Sequence, residues 1–181
     1  QLMNSIWSSF ILGAIVAFPY ILWEFWKFIS PGLHVNEIKK SRGFIVTASI
    51  LFFIGVLFSF YIIAPISVNF LYTYQISDKL VNQFTMEAHI SLITNMLLGV
   101  SIMFELPVLV YFFTKIGLIS PEFLKRYRKH ALVLVLILAA IITPPDVASQ
   151  IIVAIPVLIL YEISIKVSKR VIKNQQKNAN K

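Results

Sequence analysis

From Phe44 to Leu71 the chain carries no charged residue. A water-soluble helix of that length needs a polar face, whereas about 20 apolar residues suffice to cross the hydrocarbon core of a bilayer. The pattern recurs, with apolar runs at about residues 6–25, 44–71, 90–113, 131–142 and 147–165. Within lipid, every backbone N–H and C=O must be satisfied internally, so such runs fold as helices. The sequence therefore predicts an all-α, polytopic integral membrane protein with five transmembrane helices in a single membrane domain, 1–181.

The runs differ in reach. The first three span comfortably. The fourth, about 12 residues at 1.5 Å per residue, covers only about 18 Å, and the fifth is borderline. They are joined by Thr143-Pro144-Pro145-Asp146. Two prolines cannot continue a helix, so this is a sharp turn. A short final hairpin is expected, which either thins the bilayer locally or shelters against the longer helices.

The charges give the sidedness. The net charge is +8, but the cations are grouped. Lys27, Lys39, Lys40 and Arg42 follow the first run. Lys115, Lys125, Arg126, Arg128 and Lys129 follow the third, and Lys166, Lys169, Arg170, Lys173, Lys177 and Lys181 follow the last. This is the positive-inside pattern rather than a nucleic-acid surface. Loops 27–42 and 115–130 and the C-terminal tail are thus expected in the cytoplasm, and loops 72–89 and 143–146 outside. Residue 1 then lies outside with no export signal before it, so an upstream span, hence a six-helix protein, is expected. The polar tail, 171–181, is expected to be disordered.

Composition narrows the chemistry. Charged residues make up 13% of the chain, about half the share in soluble domains. There is no cysteine, so disulfides and thiolate sites are excluded. His34, His89 and His130 stand far apart without ligand spacing, so neither a metal nor another cofactor is expected. Glu105 is the one charge inside the run 90–113. An ionisable group at bilayer depth costs a few kcal/mol and marks a functional position by default. Ser91, Thr94, Leu98, Ser101 and Glu105 share one helical face, with Asn95 beside it. Bonding to neighbouring helices accounts for the hydroxyls equally well. Pro107 should bend this helix just past Glu105. Asp146 suits the N-cap of the last helix. Gly55 and Ser59 form a small-xxx-small pair that suits close packing.

Five strings in order go further. They are Phe28-Ile29-Ser30-Pro31-Gly32-Leu33 followed by Glu37, Phe104-Glu105-Leu106-Pro107-Val108, Gly117-Leu118-Ile119-Ser120-Pro121-Glu122, Thr143-Pro144-Pro145-Asp146 with Ser149-Gln150, and Tyr161-Glu162-Ile163. Together they resemble the TatC family, the multispanning receptors of the twin-arginine protein translocase, from near the family's second helix onward. The resemblance implies a concave, glove-like bundle with a short last hairpin. It also implies a receptor and scaffold for twin-arginine signal peptides. With TatA- and TatB-type single-span partners, it would move folded cargo across the bacterial inner membrane on the proton-motive force. Self-association and contact with membrane lipid are implied as well.

The resemblance assigns Glu37 and Phe28 to signal-peptide binding and Glu105, Thr143 and Gln150 to polar or partner contacts. Val35 departs from the family, which often has a basic residue there. Without the resemblance, Glu37 reads as a loop acid offsetting Lys39, Lys40 and Arg42, and Phe28 as an interfacial anchor. Two other readings compete. A proton- or ion-coupled small-molecule transporter using Glu105 would show paired broken helices, and none pairs with the Pro107 helix. An intramembrane enzyme would need a partner for Glu105 at its depth, which the sequence lacks. No enzymatic activity is expected.

Overall fold

The computed structural model describes residues 2–29, 41–73, 85–144 and 146–179. The described residues are almost entirely helical. In chain order the helices are α1 (Leu2–Ile29), α2 (Ser41–Phe58), α3 (Ala64–Thr73), α4 (Met86–Phe104), α5 (Leu106–Lys115), α6 (Pro121–Arg126), α7 (Arg128–Ile142) and α8 (Val147–Ala179). A π-helical turn, Ser59–Ile63, makes α2 and α3 one continuous rod. Its mark is the bond from the Ala64 N–H back to the Ser59 carbonyl. Pro65 explains the widening. It has no N–H to donate, and its ring would crowd the carbonyl four residues back.

Among the described residues, four segments are long and apolar enough to cross a membrane: Met3–Lys27, Ile45–Thr73, Met86–Lys115 and Val147–Lys177. The chain is a polytopic helical membrane protein. The fourth apolar run lies in α7, whose 15 residues fall short of that length, as the sequence indicated. Residues from 171, expected to be disordered, are instead helical as far as Ala179. Lys and Gln are good helix formers, and this segment extends an existing helix, so it escapes the cost of nucleation.

The chain divides into two compact units, Gln1–Ile102 and Met103–Lys181. In the first, Ile11 and Ile15 of α1, Phe52 of α2 and Leu97 of α4 form a core, with Phe18, Val56, Ile93 and Leu98 packed against it. The Phe18 and Phe52 rings stack nearly parallel. The opposite side of α1 exposes Met3, Phe10 and Val16. In water this would be unfavourable, but lipid is as apolar as the core, so it suits a membrane-facing surface.

In the second unit, Val110 of α5, Leu124 of α6 and Tyr161 and Ile165 of α8 form the core, lined by Leu106, Ile119 and Ala131. α5 closes in a Schellman motif. The Leu118 N–H bonds to the Phe113 carbonyl at 2.9 Å and the Gly117 N–H to that of Thr114 at 3.1 Å. Gly117 adopts a φ of 79°, a left-handed conformation that favours glycine. The Ser120 hydroxyl then caps α6, accepting from the Phe123 N–H at 3.1 Å.

Candidate functional site

The break between α4 and α5 falls at Glu105. Pro107 occupies the first turn of α5, where a missing N–H is harmless. The Val108 and Leu109 N–H groups both bond to the Glu105 carbonyl, at 2.9 and 3.0 Å. The helix is therefore interrupted where Pro107 predicts a disturbance. Glu105 stands in N-cap position, yet its side chain makes no capping bond. Its carboxylate is buried, 6% exposed, and neither oxygen has a hydrogen-bond partner among the described residues. Such a group costs about 1–3 kcal/mol unless something else satisfies it.

The polar face above it turns inward on its own helix. The Thr94 hydroxyl donates to the Ile90 carbonyl at 2.6 Å, and Ser101 donates to the Leu97 carbonyl. Asn95 donates to the Ser91 hydroxyl at 3.5 Å. Thr94 and Ser101 thus satisfy themselves locally rather than binding a neighbouring helix, as membrane helices permit. Glu105 is the member of the face left with an unmet demand.

The second cluster is the turn between α7 and α8. The Asp146 Oδ1 accepts from the Ser149 N–H at 2.7 Å, so Asp146 caps α8 as its position predicted. Its other oxygen is buried without a hydrogen-bond partner among the described residues. The Thr143 hydroxyl donates to the Ala139 carbonyl at 2.9 Å, and the Gln150 amide donates to the Leu136 carbonyl at 2.9 Å. Both side chains therefore tie the turn to α7. Glu37 lies outside the described residues, and Phe28 is described only as a backbone position in the last turn of α1.

The sequence reading did not find a third set, which locks α5 and α6 to α8. The Thr114 hydroxyl donates to Ser168 at 2.9 Å, and the Tyr161 hydroxyl donates to the Leu124 carbonyl at 2.7 Å. The Gln175 amide donates to the Lys115 carbonyl at 3.0 Å. Arg128 pairs with Glu162 at 2.8 Å, both side chains about half exposed. The signal was present: Tyr161, Ser164, Ser168 and Gln175 share one face of α8. Among the described residues no group of three or more His, Asp or Glu is placed to hold a metal ion.

Comparison with known proteins supplies the remaining constraint. The family model "Sec-independent protein translocase protein (TatC)" matches residues 1–156. The chain is similar to the Sec-independent protein translocase protein TatC of Blattabacterium sp. subsp. Periplaneta americana, 50% identical over 163 residues, which are 90% of this chain and 61% of that protein. It is 42% identical over 169 residues to the TatC of Helicobacter pylori strain 26695, covering 93% of this chain and 66% of that protein. The chain thus spans somewhat under two thirds of these relatives' length. A crystal structure of the twin-arginine translocase receptor TatC in DDM superposes with a TM-score of 0.78 at 35% identity, covering 93% of this chain and 75% of that one.

Proposed function

The chain belongs to the TatC family of Sec-independent protein translocase proteins, and from that premise we propose that it is a receptor and assembly scaffold for twin-arginine signal peptides. The observation that carries this is the family match across residues 1–156, which includes Glu37, Glu105, Thr143 and Gln150. In this reading the protein performs no covalent chemistry. With TatA- and TatB-type single-span partners it passes folded proteins through the bacterial inner membrane on the proton-motive force, its C-terminus in the cytoplasm.

The chemistry assigned to each residue is simple. Arginine presents a planar fork of donors that a carboxylate such as Glu37 accepts bidentately, and lysine cannot reproduce that geometry. Phe28 would pack against the apolar part of the signal. Lys39, Lys40 and Arg42 weaken the attraction of Glu37 for arginine, so a second acid elsewhere in the receptor completes the site. Glu105 holds two buried acceptors with no hydrogen-bond partner among the described residues, which a polar donor on an entering partner helix would satisfy. Thr143 and Gln150 hold the outer turn, and the Gln150 carbonyl oxygen supplies an acceptor for a docking helix.

The test is photo-crosslinking from position 37 in the full-length receptor, offering an Arg-Arg signal peptide, its Lys-Lys variant, and Glu37→Gln in parallel. The expected result is a crosslink for Arg-Arg alone, weakened by Glu37→Gln. Equal behaviour of the two peptides would remove Glu37 from the recognition site. Transport of a small solute by purified protein in liposomes would overturn the receptor reading as a whole.

A further inference from the structure

The extension of α8 past its apolar stretch is not a uniformly charged rod. Lys166, Lys169, Arg170, Lys173 and Lys177 recur on one helical face, and all five are exposed. The opposite face carries Ser168 and Gln175, which are bound to Thr114 and to the Lys115 carbonyl. The basic face is thereby fixed in direction, pointing away from α5. Lys125 on α6 is the foremost charged group acting on Lys169, with Glu122 and Arg128 the others. Two ammonium groups have donors only and cannot satisfy one another. As neighbours of like charge they repel, and an anion lying between them would relieve that repulsion. Glu122 is the one carboxylate among these neighbours, and Arg128 is already paired with Glu162.

The depth of this pair along the membrane normal is set twice. The apolar stretch 147–165 at 1.5 Å per residue is about 28 Å long, close to the roughly 30 Å hydrocarbon core, so Lys166 emerges at its edge. Lys169 and Arg170 follow within the next turn, in the headgroup layer, while Lys177 lies about 16 Å past Lys166 and clears that layer. Independently, Phe123 and Tyr127 flank Lys125 and are 49% and 40% exposed, with ring centroids 4.5 Å apart. Exposed aromatic pairs of this kind settle at the headgroup level.

We propose that Lys125 and Lys169, with Lys166 and Arg170 beside them, form a binding site for the phosphate headgroup of an anionic phospholipid. The lipid belongs to the leaflet at the basic end of the protein. Its phosphate supplies the shared anion, and its acyl chains continue along the apolar side of α8. Binding fastens α6 to α8 at the level where Tyr161 already holds the Leu124 carbonyl. The lipid is thus a built-in clamp on the second basic loop.

Stability in nanodiscs of defined lipid tests this with the intact protein. Wild type is expected to melt at a higher temperature in phosphatidylglycerol discs than in phosphatidylcholine discs. Lys125→Gln/Lys169→Gln is expected to reverse the order between proteins: more stable than wild type in phosphatidylcholine, where repulsion is relieved, and less stable in phosphatidylglycerol. Lys125→Arg/Lys169→Arg should behave as wild type, and Lys177→Gln should change neither. Native mass spectrometry should show at least a threefold loss of bound phosphatidylglycerol in the double Gln variant. Equal lipid retention by that variant, or the same stability difference for Lys177→Gln, would overturn the proposal. Displacement of the lipid by millimolar inorganic phosphate would make this a free-anion site and overturn it as well.

Discussion

The hydroxyl of Tyr161 donates to the backbone carbonyl of Leu124 at 2.7 Å, with both residues buried. The bond joins α8 to the short α6 and fixes where the second basic loop leaves the helical core. Tyr161→Phe keeps the ring and removes the donor, leaving the carbonyl unpaired in an apolar site. That should cost about 1–2 kcal/mol. Thermal unfolding in detergent should show it as a lower melting temperature. An unchanged melting temperature would mean that the ring alone holds α6.

Asp146 caps α8 through Oδ1 and the Ser149 N–H. Asp146→Ala should destabilise the protein by about 1 kcal/mol, and Asp146→Asn by clearly less, because asparagine caps nearly as well. The comparison is made by thermal unfolding of both variants beside wild type. Equal losses would point to the charge of Asp146 rather than its cap.

Glycines 13 and 117 separate space from conformation. A Cβ at either position meets nothing within 4 Å. Gly117 has a φ of 79°, however, while Gly13 lies within α1. Gly117→Ala should therefore cost about 1–2 kcal/mol from left-handed strain. Gly13→Ala should be neutral or stabilising by up to about 1 kcal/mol. Melting temperatures that move in the same direction for both would show that strain at Gly117 is not what closes α5.

What could be read from the sequence followed from local physics. The helix break at Glu105 was legible because Pro107 lacks an N–H whatever surrounds it. The cap by Asp146 was legible because two prolines fix the turn before it. The short α7 followed from counting residues against bilayer thickness. The π turn at Ser59 was not foreseen, although Pro65 carried its cause, since the widening depends on how the rod is relieved upstream. The bonds from Thr114 to Ser168 and from Tyr161 to Leu124 were not legible either. They join residues 54 and 37 positions apart, and only packing decides which hydroxyls meet. The helical tail was misread because its composition is polar, while propagation from an existing helix depends on continuity rather than apolarity. Glu37 and Phe28 came from the family resemblance rather than from local physics, and they remain proposals on that footing.

Glu105 sets function against stability most directly. Its carboxylate is buried at a helix break, makes no capping bond and has no hydrogen-bond partner among the described residues. A group in that position lowers the stability of the isolated protein, and under the proposed function it is retained for a contact with a partner helix. Glu105→Leu removes two unmet acceptors and puts an apolar side chain of comparable bulk in their place. It should raise thermal stability in detergent by about 1–3 kcal/mol, while sharply reducing cargo export in cells. Glu105→Gln keeps an acceptor and should retain more export than the leucine variant. The two readouts must move in opposite directions. If Glu105→Leu lowers stability, the carboxylate serves a contact within its own chain. If export survives the substitution, the partner contact lies elsewhere, and Thr143 and Gln150 become the positions to alter next.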